Sequence, residues 1–195
     1  MTAAGPPPES TTPCITAHAG ATAGTRNVLV AYASPHGSTQ AVADRIAARL
    51  RERDMHVDSL PIDDVSDLDY YDAVILGSAV YSQSWIPTAT TFLHENVDAL
   101  ARRSVWLFSV GSFGDTHRVI GRLMKKEPRD INEIQRTIHP RDYRVFAGAI
   151  QRNQWPPISR LFFHLFGGRF GDNRDWQQID RWADNIARSL SSSKT

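Results

Sequence analysis

The chain reads as an α/β domain: a doubly wound parallel sheet of five strands, ordered 2-1-3-4-5, with helices on both faces. Three observations lead there. Runs such as 28–33 (Val-Leu-Val-Ala-Tyr-Ala) and 73–76 (Ala-Val-Ile-Leu) are apolar throughout rather than alternating, as strands covered on both faces must be. Segments with apolar residues at helical spacing separate them. The first strand runs into a turn rich in glycine and hydroxyls, and a helix starts directly after it.

Taken in order, residues 1–25 are mainly alanine, threonine, proline and glycine, too poor in bulky apolar groups to support a core. They read as a disordered tail, with the folded domain spanning 26–191. Strand one is 27–33. The helix over 39–53 puts Val42, Ile46, Ala47 and Leu50 on one face. A strand of edge character follows at 56–61, and a short buried strand at 73–78. Residues 88–100 form the next helix and 105–110 the fourth strand. The fifth strand covers 144–150. A closing helix over 177–190 repeats Ile179, Trp182, Ile186 and Leu190 at helical spacing. No internal repeat is apparent.

Composition narrows the function classes. The 22 basic and 21 acidic residues leave a net charge of +1. Small electron shuttles often dock on basic partners through a strongly acidic face, which this balance does not supply. Nor is there the concentrated basic patch of a nucleic-acid binder, and no nucleic-acid partner is expected. Cys14 is the only cysteine, so no intrachain disulfide framework exists, which suits a cytoplasmic location. No apolar run approaches the ~18 residues of a membrane span, and the N-terminus lacks the basic and apolar regions of a secretory signal. The histidines show no metal-ligand spacing, and no metal is expected.

In the predicted arrangement the ligand crevice lies outside the carboxyl ends of the strands, where the strand order reverses. The turn Ser34-Pro35-His36-Gly37-Ser38-Thr39 stands there. Its backbone N–H groups, its hydroxyls and the following helix N-terminus can converge on one anion. With no lysine it is not a nucleoside-triphosphate loop, and it lacks the glycine spacing of a dinucleotide fingerprint. Neutral donors suit a monophosphate. An ordinary strand-to-helix turn with Ser38 as N-cap is the plainer reading. Two more loops should complete such a site. After the third strand come Ser78, Ala79, Val80, Tyr81 and, further on, Trp85, whose rings can either stack on a flat ligand or anchor the loop in the core. After the fourth come Ser109, Val110, Gly111, Ser112, Phe113, Gly114 and Asp115, with small residues that let the backbone approach a ring edge.

These residues resemble a known family. The turn at 34–39 is similar to the phosphate loop of flavodoxins, and Gly77-Ser-Ala-Val-Tyr81 to their second flavin loop. More narrowly, the chain resembles flavodoxin-domain proteins grouped with menaquinone-dependent protoporphyrinogen IX dehydrogenase. The supporting stretches are 146–150 (Phe-Ala-Gly-Ala-Ile), 160–168 (Arg-Leu-Phe-Phe-His-Leu-Phe-Gly-Gly) and Asp175-Trp176 before the last helix. The resemblance implies a flavodoxin-like fold and a flavin mononucleotide (FMN) cofactor. Its phosphate would be held by Ser34, His36, Gly37, Ser38 and Thr39, and its ring by the loops at 78–85 and 109–115. Two features depart from the pattern. Pro35-His36 stands where flavodoxins commonly carry Thr-Gly or a similar pair, and 116–141 does not match the dehydrogenase in detail.

A flavin performs the electron transfer itself, so no catalytic residue is expected of the chain. Asp115 near the ring would disfavour an anionic reduced flavin, or is a solvated loop carboxylate. His36, when protonated, can pair with phosphate, or is a solvent-facing turn residue. The segment 155–170, with five apolar residues in 161–166, reads either as a helix packed on the sheet, as a surface for quinone or the inner face of a membrane, or as a homodimer interface. The basic residues within 118–141 can attract an anionic substrate, although interspersed carboxylates make a solvated helix face the simpler reading. The resulting expectation is an FMN-dependent oxidoreductase, quinone-linked and similar to protoporphyrinogen oxidase. The alternatives are a non-enzymatic electron carrier served by a reductase, and a flavin-free scaffold or regulatory module.

Overall fold

The computed structural model describes residues 25–81, 84–111, 132–150, 171–172 and 174–192. The tail 1–24, Ser112 to Asp115, the basic stretch up to residue 131 and the segment 155–170 lie outside the described residues.

Five strands form the parallel sheet: β1 (Asn27–Ala33), β2 (His56–Pro61), β3 (Ala73–Tyr81), β5 (Ser104–Gly111) and β6 (Asp142–Ala147). Their order is β2-β1-β3-β5-β6, which is the predicted arrangement with β2 at one edge. A two-residue strand, β4 (Ser84–Trp85), folds back antiparallel on the end of β3. The strands are continuously apolar because alternate side chains enter two cores. Val28, Val30 and Tyr32 face one layer, and Leu29, Ala31 and Ala33 the other.

The first layer is closed by α1 (Ser38–Arg51) and by the last helix, α5 (Trp176–Ser192). Val42, Ile46 and Leu50 of α1 meet Ile179, Trp182, Ile186 and Leu190 of α5 over the sheet. Phe108, Phe146 and Trp182 pack there with ring centroids 5.5–6.1 Å apart. Outside this core the two helices are joined by charge. Arg45 donates two 2.7 Å bonds to Asp180, and Arg49 and Arg53 both reach Asp184. Asp175 opens α5 as expected, its carboxylate accepting the Gln178 N–H at 3.0 Å.

The second layer holds α2 (Pro87–Glu95) and α3 (Val97–Ala101) where a single helix over 88–100 is predicted. Asn96 causes the break. Its backbone leaves helical geometry (φ −112°, ψ 15°), its side chain donates to Phe92 O, and its carbonyl accepts the Leu100 N–H. One residue thereby ends one helix and starts the next. Two strand ends also differ. β3 runs to Tyr81, beyond the predicted 78, because β4 pairs with its end. The fifth strand closes at Ala147 rather than 150, because the Gly148 N–H turns to Gly111 O at 2.8 Å and β7 (Ala149–Ile150) pairs antiparallel with β8 (Gly171–Asp172). The remaining short helix, α4 (Asn132–Ile138), precedes β6.

Candidate flavin site

The register aligns the carboxyl ends of the strands. Ala33 pairs with Ser78, Ser78 with Ser109, and Ser109 with Val145. The segments expected to hold a ligand therefore leave the sheet at one level.

At the end of β1 the chain turns through Ser34 to Gly37 and enters α1. Gly37 has φ +78°, a left-handed conformation that other residues adopt only with strain, and no atom lies near enough to obstruct a side chain there. Ser38 is the first helical residue and not the N-cap, so the plainer reading of that residue is corrected. Gly37 holds the cap position, and no side chain caps the helix. The first intrahelical bond runs from the Ala41 N–H to Gly37 O, leaving the N–H groups of Ser38, Thr39 and Gln40 ahead of it. Pro35, His36 and Gly37 are exposed, and Ser34 and Ser38 half-buried. Thr39 is only 1% exposed, its side chain being turned into the protein. No lysine or arginine belongs to this turn. It is a neutral set of donors at a positive helix end.

The second segment behaves differently. Tyr81 is 48% exposed, and its ring meets the His36 imidazole edge-on with centroids 6.4 Å apart. Partial burial raises the Tyr81 phenol pKa above its ordinary value, so the ring stays neutral at physiological pH. Trp85, by contrast, is 3% exposed. Its indole N–H donates to Ser109 Oγ at 2.7 Å, and Ser109 shares a 2.6 Å bond with the Tyr143 hydroxyl. Trp85 thus anchors the β3–β4 hairpin to β5 and β6, and the expectation that it stacks on a flat ligand is corrected. The side chains of Ser78 and Ser109 are likewise engaged inside the protein. Both are fully buried, and Ser78 Oγ donates to Ala79 O and accepts the Ile86 N–H. What these positions can offer a ligand is backbone.

Ala79 and Val80 are half-buried beside Tyr81, while Val110 and Gly111 are buried at the end of β5. Gly77 has a packing role: a Cβ there would fall 2.0 Å from Phe108 Cζ. Gly148, which the sequence placed in no site, lies against Ser38, Val110 and Gly111. Only its position in the stretch Phe-Ala-Gly-Ala-Ile hinted at it. Among the described residues no three His, Cys, Asp or Glu side chains gather as metal ligands, and no helix is long and apolar enough to cross a membrane.

A family model, that of the flavodoxin domain, matches residues 29–166, most of the folded chain. The chain belongs to the flavodoxin-domain family. No curated protein matches the sequence. Among solved structures, a flavodoxin from the domain Archaea is 16% identical with a TM-score of 0.57, covering 85% of this chain and 99% of its own. Oxidised flavodoxin 2 from Bacillus cereus is 22% identical with a TM-score of 0.54, again covering 85% and 99%. Rubredoxin oxygen:oxidoreductase from Desulfovibrio gigas is 16% identical with a TM-score of 0.58; the match covers 86% of this chain but 37% of that one. At these identities the structural likeness shows the fold. A flavodoxin domain implies FMN as the cofactor, and the chain is an FMN-binding redox protein of this fold. The residues present fit that group. The uncapped, uncharged start of α1 suits a monophosphate, and the exposed Tyr81 ring suits a flat heterocycle on the same sheet edge.

Proposed function

We propose that this flavodoxin domain is an FMN-dependent oxidoreductase that exchanges electrons with a quinone, with protoporphyrinogen the reduced substrate suggested by its resemblance to the menaquinone-dependent dehydrogenase. The observation that carries the flavin site is the uncapped helix α1 opening beside an exposed His36–Tyr81 pair. In this reading the first-turn N–H groups and the hydroxyls of Ser34 and Ser38 donate to the FMN phosphate. Gly37 makes the turn, and Thr39 contributes through its backbone. His36 closes the outer side of the turn. The Tyr81 ring covers one face of the flavin. The backbone of Ala79, Val80, Val110 and Gly111 borders its edge, and the resemblance assigns residues 112–115 to the same ring. Bound FMN supplies the electron transfer, which no side chain of the chain offers. Protein groups hold the ring, limit water and set its electronic surroundings.

The near-neutral charge supports an acceptor recognised by shape and apolar contact, such as a quinone, over a protein partner recruited by an acidic face. Location in the cytoplasm, at or near the membrane that holds the quinone, follows from that partner, with the apolar segment 155–170 as the contact.

The test is the visible spectrum of the purified protein before and after FMN is added and the excess removed, followed by turnover with a menaquinone analogue and protoporphyrinogen. Retained flavin with rapid turnover supports the enzyme. Retained flavin that is reduced only through a protein reductase makes the chain an electron carrier. Protein that stays colourless and cannot be reconstituted overturns both and leaves the flavin-free scaffold.

A further inference from the structure

The sheet register brings His36 and Tyr81 together. Ala33 of β1 pairs with Ser78 of β3, and each chain runs three residues further, one to His36 and the other to Tyr81. Both backbones are held at that point. Pro35 restricts the turn ahead of His36, and Gly37 closes it at φ +78°. Tyr81 ends β3 paired with Ser84 of β4. The two rings meet edge-on, their planes at 80° and their centroids 6.4 Å apart. At that distance an edge-to-face pair still attracts beyond simple burial.

The contact matters because little else holds the Tyr81 ring. The residue is 48% exposed, and among the described residues its side chain makes no hydrogen bond, no ion pair and no second ring contact. A side chain in that position exchanges among staggered rotamers unless a neighbour selects one. The His36 imidazole likewise has no hydrogen-bonded or charged partner among the described residues, so no other described group competes for it. One ring contact therefore joins the turn before α1 to the aromatic wall at the end of β3.

We infer that His36 is a positioning residue for the ring end of the flavin site, its imidazole selecting the Tyr81 rotamer that covers the isoalloxazine. This rests on the FMN reading above and deepens it, since it gives a residue of the phosphate turn a role toward the ring. The corollary concerns specificity. Loss of the His36 ring should weaken FMN and riboflavin alike, because riboflavin carries the same isoalloxazine without the phosphate.

The experiment measures dissociation constants of FMN and riboflavin by fluorescence titration of the flavin-free full-length protein. The variants are His36→Ala, His36→Phe, His36→Asn, Tyr81→Ala and the double variant His36→Ala/Tyr81→Ala, each beside wild type. Both side chains are exposed, so these variants should fold. His36→Ala should weaken both flavins by a similar factor, about three- to tenfold. His36→Phe keeps a ring but cannot donate to a phosphate, and it should restore both affinities to within about twofold of wild type. His36→Asn keeps a donor without the ring and should not restore them. In the Tyr81→Ala background, His36→Ala should add little, since both substitutions remove one contact. A tyrosine stacked on the isoalloxazine quenches its emission, so flavin bound to His36→Ala should be brighter than in wild type. A loss confined to FMN and restored by His36→Asn overturns the inference and makes His36 a phosphate donor. Unchanged affinities, fully additive losses, failure of His36→Phe to restore binding, or unchanged emission also overturn it. Wild type that binds neither flavin overturns the flavin reading itself, and the inference with it.

Discussion

The turn after β1 and the hairpin after β3 leave the sheet at the same level and are both rich in small polar residues, yet they use their polar groups in opposite ways. In the hairpin the groups satisfy one another: Ser78 with Ala79 and Ile86, Trp85 with Ser109, Ser109 with Tyr143. In the turn, no side chain caps α1, and Pro35, His36 and Gly37 are exposed. The lesson is that hydroxyl content alone does not mark a ligand site. A hydroxyl bonded inside the hairpin builds the wall, and a helix start that no side chain caps builds the socket. Mutations in the hairpin should therefore act first on stability, and those in the turn first on flavin binding.

The largest effect expected is at Gly77 on the wall side. Gly77→Ala drives a Cβ into the Phe108 ring, and overpacking of this kind should destabilise the fold by about 3 kcal/mol or more. Urea unfolding measures it, and a loss under ~1 kcal/mol would mean that Phe108 can move aside. In the turn, the Ser38→Ala/Thr39→Ala double variant should weaken FMN at least tenfold, about 1.4 kcal/mol, with riboflavin little affected. Unchanged FMN affinity there would remove the phosphate assignment.

A more discriminating comparison is Trp85→Phe. It removes the indole N–H from the buried Ser109 hydroxyl and should cost about 1–2 kcal/mol of stability, leaving FMN affinity nearly unchanged in the folded protein. A large loss of affinity with little loss of stability would put Trp85 back in the ligand site. Gly37→Ala meets no steric obstacle, so its cost should be only the left-handed backbone, about 1 kcal/mol.

The smallest effect lies at the other end of the comparison, on the flank of α1 opposite its open N-terminus. The Arg45 and Arg49 guanidiniums, as hydrogen-bond partners, hold the Asp180 and Asp184 carboxyls below their usual pKa. A carboxyl depressed in the folded state stabilises the fold fully above its unfolded pKa near ~4, and that contribution is lost as pH falls through the folded value. Asp184→Asn should thus flatten the loss of stability below about pH 4 while leaving flavin affinity at neutral pH unaltered. Since these pairs are partly solvated, the effect should be modest and weaken with salt. An acid limb identical to wild type would show that the Arg49 and Arg53 contacts do not persist in solution.

Much of this molecule was determined by its sequence alone. The continuous apolar runs required strands buried on both faces, and the alternation with helical spacing required a parallel sheet. These are local patterns with one cheap solution, and the observed order is the predicted one. The turn at 34–39 was likewise legible, because glycine and hydroxyls between a strand and a helix have a local chemical meaning. What only the tertiary structure decided were the partners of polar groups. Whether Trp85 faces a ligand or Ser109 depends on β5 lying beside β3, and whether Ser78 is free depends on the hairpin closing over it. Gly148 illustrates the limit most clearly. Its closeness to Ser38 exists only where the chain after β6 meets α1, and such a contact belongs to no residue until distant segments have packed.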